Sequence, residues 1–161
     1  MADKATIALL HDSSLGEELS VEECGVLANI VTRRTLTGEE ILIEEGLTDH
    51  SLYLVIDGAL AVCKKTSGGE WVSLHVLNPG DMAGELGFID GQPHSATLRS
   101  IGITEVFILE RSTFESLVDS QPWLAYRVMR AILRTVHGIL RRMNLQYIEL
   151  SNYISRQHGK Y

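Results

Sequence analysis

The chain has 161 residues and a mass of 17.9 kDa, room for one domain with at most a small appendage. Its composition, 45% hydrophobic and 22% charged with three prolines, excludes a disordered or collagen-like chain. No run of 18 apolar residues occurs, which excludes a membrane-spanning helix. The start, Met1-Ala2-Asp3-Lys4, lacks a charged region followed by a long apolar core, so no signal peptide is read. Two cysteines, Cys24 and Cys63, stand far apart without a motif. They exclude a disulfide framework, a zinc finger and a four-cysteine iron–sulfur cluster, and a reducing cytoplasm is the expected compartment.

Net charge is −7, unevenly spread. Residues 1–122 carry 20 acids and 7 bases, whereas residues 123–161 carry 7 bases and 1 acid. A basic tail can seek nucleic acid or membrane. The acidic body equally offers the tail an intramolecular partner, and its field repels polyanions.

One domain is expected in three parts: helical to residue 30, β over 31–111, helical over 112–158. Ser20 with Glu23 fits a capping box, and Leu27, Ile30 and Val31 continue an apolar face. From residue 31, short runs of Val, Ile, Leu and Thr alternate with turn residues: Thr37-Gly38, Gly46, Asp57-Gly58, Gly68-Gly69, Asn78-Pro79-Gly80, Asp90-Gly91 and Gly102. Ser51–Ile56 and Ala59–Cys63 flank Asp57-Gly58, which predicts a hairpin with a type I′ turn. Trp71–Leu77 predicts another strand, and Ser95–Ser100 with Glu105–Glu110 a further pair. Seven or eight strands so spaced predict a sandwich, jelly roll or small barrel.

Ser112 with Glu115 reads as a second capping box, opening a short helix to about Val118. Pro122 suits a first helical position. From Trp123 to about Gln157 there is no proline and one glycine, Gly138, which predicts a helix about 50 Å long. Met129, Leu133, Val136, Leu140, Met143, Tyr147, Leu150 and Ile154 follow alternating steps of four and three, the seam of a coiled coil. A shorter stripe, Leu124, Val128, Ile132 and Ile139, is left to face the chain's own body. The seam is therefore expected to face a second copy, making a homodimer.

The informative stretch runs from Pro79 to Thr97: Pro-Gly-Asp-Met-Ala-Gly-Glu-Leu-Gly-Phe, a short loop, then His94-Ser95-Ala96-Thr97. It reads as a strand end, a glycine that lets backbone approach a ligand, and a helical turn from Glu85 whose first N–H groups attract an anion. Glu85 adds a hydroxyl acceptor, and His94 and Ser95 are expected to enter the next strand facing the same spot. An anion beside vicinal hydroxyls describes a sugar phosphate.

Here the sequence resembles the cyclic-nucleotide-binding domain family, the Crp/Fnr-type sensor domain most closely. The family's phosphate-binding cassette reads Gly-Glu-Leu, a small and a large apolar residue, then a loop ending Arg-Ser/Thr-Ala. This chain has Gly84-Glu85-Leu86-Gly87-Phe88 and His94-Ser95-Ala96-Thr97. Flanking marks agree: Glu39-Glu40-Ile41-Leu42, Glu45-Gly46, Ser51–Val55, Asp57-Gly58 and Pro79-Gly80-Asp81. The resemblance implies a mainly β fold: an eight-stranded β-roll with an N-terminal helix, a short cassette helix and a long C-terminal helix that dimerises. It implies a binding site of Gly84, Glu85, Leu86, His94, Ser95 and Ala96, with Glu85 at the ribose 2′-hydroxyl and Gly84, Leu86 and Ser95 toward the cyclic phosphate.

The departures matter. The family's arginine, which pairs with the phosphate, is replaced by His94. Arginine is permanently charged and forked, whereas histidine is a cation only near or below roughly pH 6.5. Losing a charge-assisted hydrogen bond of about 1.5–3 kcal/mol weakens affinity roughly tenfold to more than a hundredfold. On the long helix, Ile139 and Leu140 stand where the best-known member has a threonine and serine against adenine, with Thr135 the nearest substitute. Arg99 lies five residues after His94, on the opposite strand face, and is expected at the surface. Binding of cAMP or cGMP is thus expected to be weak, altered or absent.

Other chemistry is excluded. His11, His50, His75, His94, His137 and His158 form no i, i+4 pair and no His-x-His, so metal and haem sites are not expected. No Gly-x-Ser-x-Gly elbow or activated Cys–His arrangement occurs, and Glu39-Glu40 and Glu44-Glu45 read as solvated turn carboxylates. The chain is read as a non-enzyme. Arg127, Arg130, Arg134 and Arg141 flank the long helix and are expected against the acidic body or solvent. Only seven residues follow Ile154, too few for a helix-turn-helix, so direct DNA binding is not expected. The reading is a ligand-sensing module that signals through its C-terminal helix to an unidentified protein partner. A non-binding dimerisation scaffold and a truncated Crp/Fnr-type regulator are the alternatives.

Overall fold

The computed structural model describes residues 2–159. The N-terminal segment forms two helices, α1 (Lys4–His11) and α2 (Val21–Ala28), joined through a 3-10 turn at Gly16–Glu18. The capping box of α2 is reciprocal. Ser20 Oγ accepts from Glu23 N at 3.1 Å, and Glu23 Oε2 accepts from Ser20 N at 2.9 Å.

Six antiparallel strands follow: β1 (Thr32–Leu36), β2 (Ile41–Ile43), β3 (Ser51–Lys65), β4 (Trp71–Leu77), β5 (Met82–Ala83) and β6 (Thr97–Glu110). The path of the sheet is β1-β6-β3-β4, with β2 also on β6 and β5 on β3. Two of the strands are long. β3 spans both predicted strands around Asp57-Gly58, and β6 spans both predicted strands around Gly102. Six strands therefore cover the eight segments of the expected roll.

The hairpin predicted at Asp57-Gly58 does not form. Ser51 to Val55 and Ala59 to Cys63 both pair with β6, and the register shifts between Val55 and Ala59. The dipeptide is an irregularity at which β3 bends without reversing. Likewise Thr97–Ser100 and Glu105–Glu110 do not pair with each other; they are the two ends of β6. Gly58 and Gly102 sit at φ +78° and +68°, the left-handed region that glycine enters without strain. β6 begins at Thr97, so His94 and Ser95 lie in the preceding loop, outside the strand into which they were placed.

One core fills the roll, with Leu36, Leu42, Ile43, Tyr53, Val55, Leu60, Leu98 and Val106. A second lies where the helices meet the roll. Leu10, Leu27, Phe107, Phe114, Leu124, Val128 and Ile132 pack there around Phe88.

The short helix α3 (Glu85–Asp90) lies between β5 and β6, and after β6 come the short helix α4 (Arg111–Glu115) and α5 (Pro122–His158). No capping box forms at Ser112. The N-cap is Glu110, still extended, and Ser112 is already inside α4, where its helical backbone cannot place a hydroxyl over the third residue's N–H. α4 also stops at Glu115, short of Val118. Pro122 opens α5 as expected.

The two stripes of α5 separate. Leu124, Val128 and Ile132 are at most 1% exposed, whereas Ile139 is only half-buried. Met129, Leu133, Leu140, Met143, Tyr147, Leu150 and Ile154 are 38–73% exposed, and Val136 is half-buried. The arginine flank meets the N-terminal segment. Arg127 pairs with Glu23 at 2.7 Å, Arg130 with Glu18 at 3.0 Å, and Arg134 with Glu18 at 2.7 Å. Part-exposed pairs of this kind contribute about 0–1 kcal/mol each; their effect is to set the angle at which α5 leaves the body. None of the described helices is long and apolar enough to cross a membrane.

Candidate functional site: the loop and helix after β5

β5 pairs with the start of β3, Tyr53 opposite Ala83 and Leu54 opposite Met82. The chain then turns through Gly84 at φ +79° into α3. A Cβ on Gly84 would lie 2.8 Å from Ser51 O, one on Gly87 would lie 3.0 Å from Asp49 O and 2.9 Å from the His94 ring, and one on Gly91 would lie 2.7 Å from the His50 ring. Glycines at 84, 87 and 91 thus give α3 a bare face that lies directly on the 49–51 backbone and on two histidine rings. Phe88, 2% exposed, points the other way, with its ring 5.5 Å from that of Phe114.

Glu85 opens α3 and is 8% exposed; its Oε1 has no hydrogen-bond partner. Burial pushes its carboxyl up to about 7, with the charge of Asp81 adding and its own backbone N–H opposing. A carboxyl whose folded-state pKa is raised holds its proton more tightly folded than unfolded, so stability falls as pH climbs from 4.5 toward 7. Between pH 5 and pH 7 the loss from Glu85 should be about 2 kcal/mol, and Glu85→Gln should remove it. Urea melts of both proteins over that range test this; parallel pH profiles would mean that Glu85 is not the titrating group.

His94 is tucked beneath α3 with its side chain 9% exposed. Its backbone is pinned to the 46–47 loop, His94 N donating to Leu47 O and His94 O accepting from Gly46 N, both at 2.9 Å. Nε2 lies 3.4 Å from Asp49 Oδ2 but out of line for a hydrogen bond, and it too has no hydrogen-bond partner. Asp49 is held in place by others. Its Oδ2 accepts from Tyr53 OH at 2.9 Å and its Oδ1 from Ser51 N at 3.0 Å. Burial and this carboxylate push the Tyr53 phenol up to about 12. Asp49 and Tyr53 were not among the sequence-derived site residues.

The structure brings Gly84, Glu85 and His94 together around α3. Leu86 is 56% exposed on its outer side, Ser95 is exposed and Ala96 half-buried. Arg99, expected at the surface, is half-buried with its side chain 20% exposed, 3.2 Å from Glu39 and over the Trp71 ring at 4.9 Å. An open groove of about 610 Å³ lies elsewhere, between Glu17, Glu18 and the Trp123, Tyr126 and Arg130 side chains.

The family model for the cyclic nucleotide-binding domain matches residues 33–121. The chain belongs to the cyclic nucleotide-binding domain family. The roll, the cassette at 84–97 and α3 are the parts of this domain already described. The cAMP-activated global transcriptional regulator CRP of Salmonella typhimurium is 30% identical over 117 residues, 71% of this chain and 56% of the regulator. The chain thus spans about half the length of the curated relatives it matches. The catabolite activator protein of Thermus thermophilus superposes with a TM-score of 0.74 at 26% identity, over 86% of this chain and 63% of that one. A cyclic nucleotide-binding domain from Methylobacillus flagellatus gives 0.79 at 22% identity, over 89% and 81%, a likeness of fold. This domain is Crp-like, and its sequence at α3 reads Gly84-Glu85-Leu86, with His94-Ser95-Ala96 in the loop that follows.

Proposed function

We propose that this cyclic nucleotide-binding domain is a non-catalytic ligand sensor with a degenerate cassette. It binds cAMP and cGMP weakly, in altered fashion or not at all, and passes its state through α5 to a separate protein. The observation that carries the reading is a pair of buried side-chain atoms without hydrogen-bond partners, Glu85 Oε1 and His94 Nε2, at one short helix. Buried polar groups are satisfied in the great majority of native proteins, and a ligand that enters the cassette supplies the missing partners. Gly84, Leu86, Ser95 and Ala96 complete the proposed site. Phe88 supports the coupling, since it sits on α3 and in the same core as Leu124 and Val128 of α5.

The exposed seam of α5 supports a homodimer, with Met129, Leu133, Val136, Leu140, Met143, Tyr147, Leu150 and Ile154 across the interface. It also favours the second reading, a dimerisation scaffold in which the cassette is a remnant. Thermal unfolding with a panel of adenosine, guanosine, cAMP and cGMP at millimolar concentration separates the two. A ligand present at about 100 times its dissociation constant stabilises by roughly 2.7 kcal/mol, several degrees for a domain of this size. The sensor requires a shift from at least one member, abolished in Glu85→Ala; a panel with no shift leaves the scaffold.

A further inference from the structure

We propose that the cassette takes an uncharged ribonucleoside in preference to the corresponding 3′,5′-cyclic phosphate. The inference rests on the sensor reading and names the ligand class of the same site.

It follows from where the positive charges of the roll are spent. Residues 31–121 hold 14 acidic side chains and six basic ones. Five of the six bases are paired to a carboxylate: Arg33 to Glu105, Arg34 to Glu40, Lys64 to Glu45, Arg99 to Glu39 and Arg111 to Glu115. The sixth, Lys65, lies over the Trp71 ring with its amine 4.9 Å from the centroid. On α5, Arg127, Arg130 and Arg134 are taken by Glu23, Glu18 and Glu17, and the charge of Arg142 acts on His75 of β4.

Among the described residues the cassette itself holds no arginine or lysine; of the two histidine rings against α3, His50 lies at Gly91, and His94 at Gly87 has the Asp49 carboxylate 3.4 Å from its Nε2. Asp49 therefore stands in for an anionic ligand. A cyclic phosphate has a permanent negative charge, and it would have to enter beside Glu85, Asp81 and Asp49 with no forked cation to receive it. Like charge at close range in a partly desolvated site disfavours it. A ribose has no such conflict. The buried Glu85 carboxyl, whose Oε1 has no partner, accepts from sugar hydroxyls and, when it carries its proton, donates to them. What the site offers is hydroxyl recognition without charge recognition.

Equilibrium binding to the full chain at pH 8.0 tests this, with adenosine and guanosine compared against cAMP and cGMP. The expected result is at least tenfold tighter binding of a nucleoside than of its cyclic phosphate, with nucleoside affinity unchanged by added salt. His94→Arg, or Asp49→Asn where the arginine proves too large for the space under Gly87, should narrow that ratio tenfold or more by strengthening the cyclic phosphate. A wild-type protein that binds cAMP or cGMP as tightly as the nucleoside overturns the inference and leaves the sensor reading standing. Binding of none of the four overturns both.

Discussion

Leu133→Asp combined with Leu140→Asp should turn a dimer into a monomer. The two leucines are 66% and 53% exposed and lie on the proposed seam, beyond the buried Leu124, Val128 and Ile132. Their loss therefore spares the core. In a two-helix seam each leucine is a knob in a hole of the facing helix, and burying it is worth about 1.5–3 kcal/mol. Four substituted sites per dimer remove that gain, and four carboxylates resist desolvation between the helices. The dissociation constant should rise by more than about a thousandfold, a change of roughly 4 kcal/mol. Light scattering after size exclusion reads the mass directly, and near-ultraviolet circular dichroism reports whether the roll is intact. A double variant that remains a dimer would place the interface on another face.

Gly58→Ala should unfold the roll far more readily than Gly69→Ala, although the two glycines share the same backbone conformation. Their φ values are +78° and +82°, so alanine meets a similar left-handed penalty of about 1–2 kcal/mol at each. The surroundings differ. A Cβ on Gly58 would lie 2.4 Å from Ile103 O and 2.8 Å from Thr104 Cα, both backbone atoms of β6. A Cβ on Gly69 would meet nothing within 4 Å. At Gly58 two paired strands must part at their shared bend, which also disturbs the Thr104 hydroxyl between Ala59 N and Ala59 O. A total of about 4 kcal/mol is expected there, a large share of a typical domain's stability, against about 1 kcal/mol at Gly69. In melting temperature that is about 8–16 °C against about 2–4 °C. Equal losses would mean that the bend gives way without strain.

The same bend marks where the sequence stopped being legible. Asp-Gly is local turn chemistry, and reversal and bending both call for a glycine with positive φ. What decides between them is the partner: β6 is continuous enough to pair with both halves of β3, and nothing within residues 51–63 carries that information. Ser112 failed for a related reason, since the helix start was set by where β6 ends.

Other signals closed within one turn or one helix were readable, where no neighbouring strand sets the outcome. The Ser20–Glu23 box and Pro122 are of this kind, as is the split of α5 into a buried stripe and an exposed seam. The short helix at Glu85 was readable from the local sequence, whereas His94 and Ser95 lie in the loop before β6 and not in the strand expected for them. The Asp49–His94 contact joins positions 45 apart in the chain and required the fold.

α5 is also a lever. Its last fully buried residue is Ile132, and about 26 residues beyond it, some 40 Å of helix, extend past the core. The Arg127, Arg130 and Arg134 pairs sit at the inner end, where a bearing would be. A tilt of about 5° there, within the range of ordinary helix adjustments, swings the far end by about 3.5 Å. Displacements of that size separate or join whole side chains. The core around Phe88 therefore needs to shift by only a few tenths of an ångström for the tip to occupy a different place, and a protein docked on the distal turns would register the amplified motion.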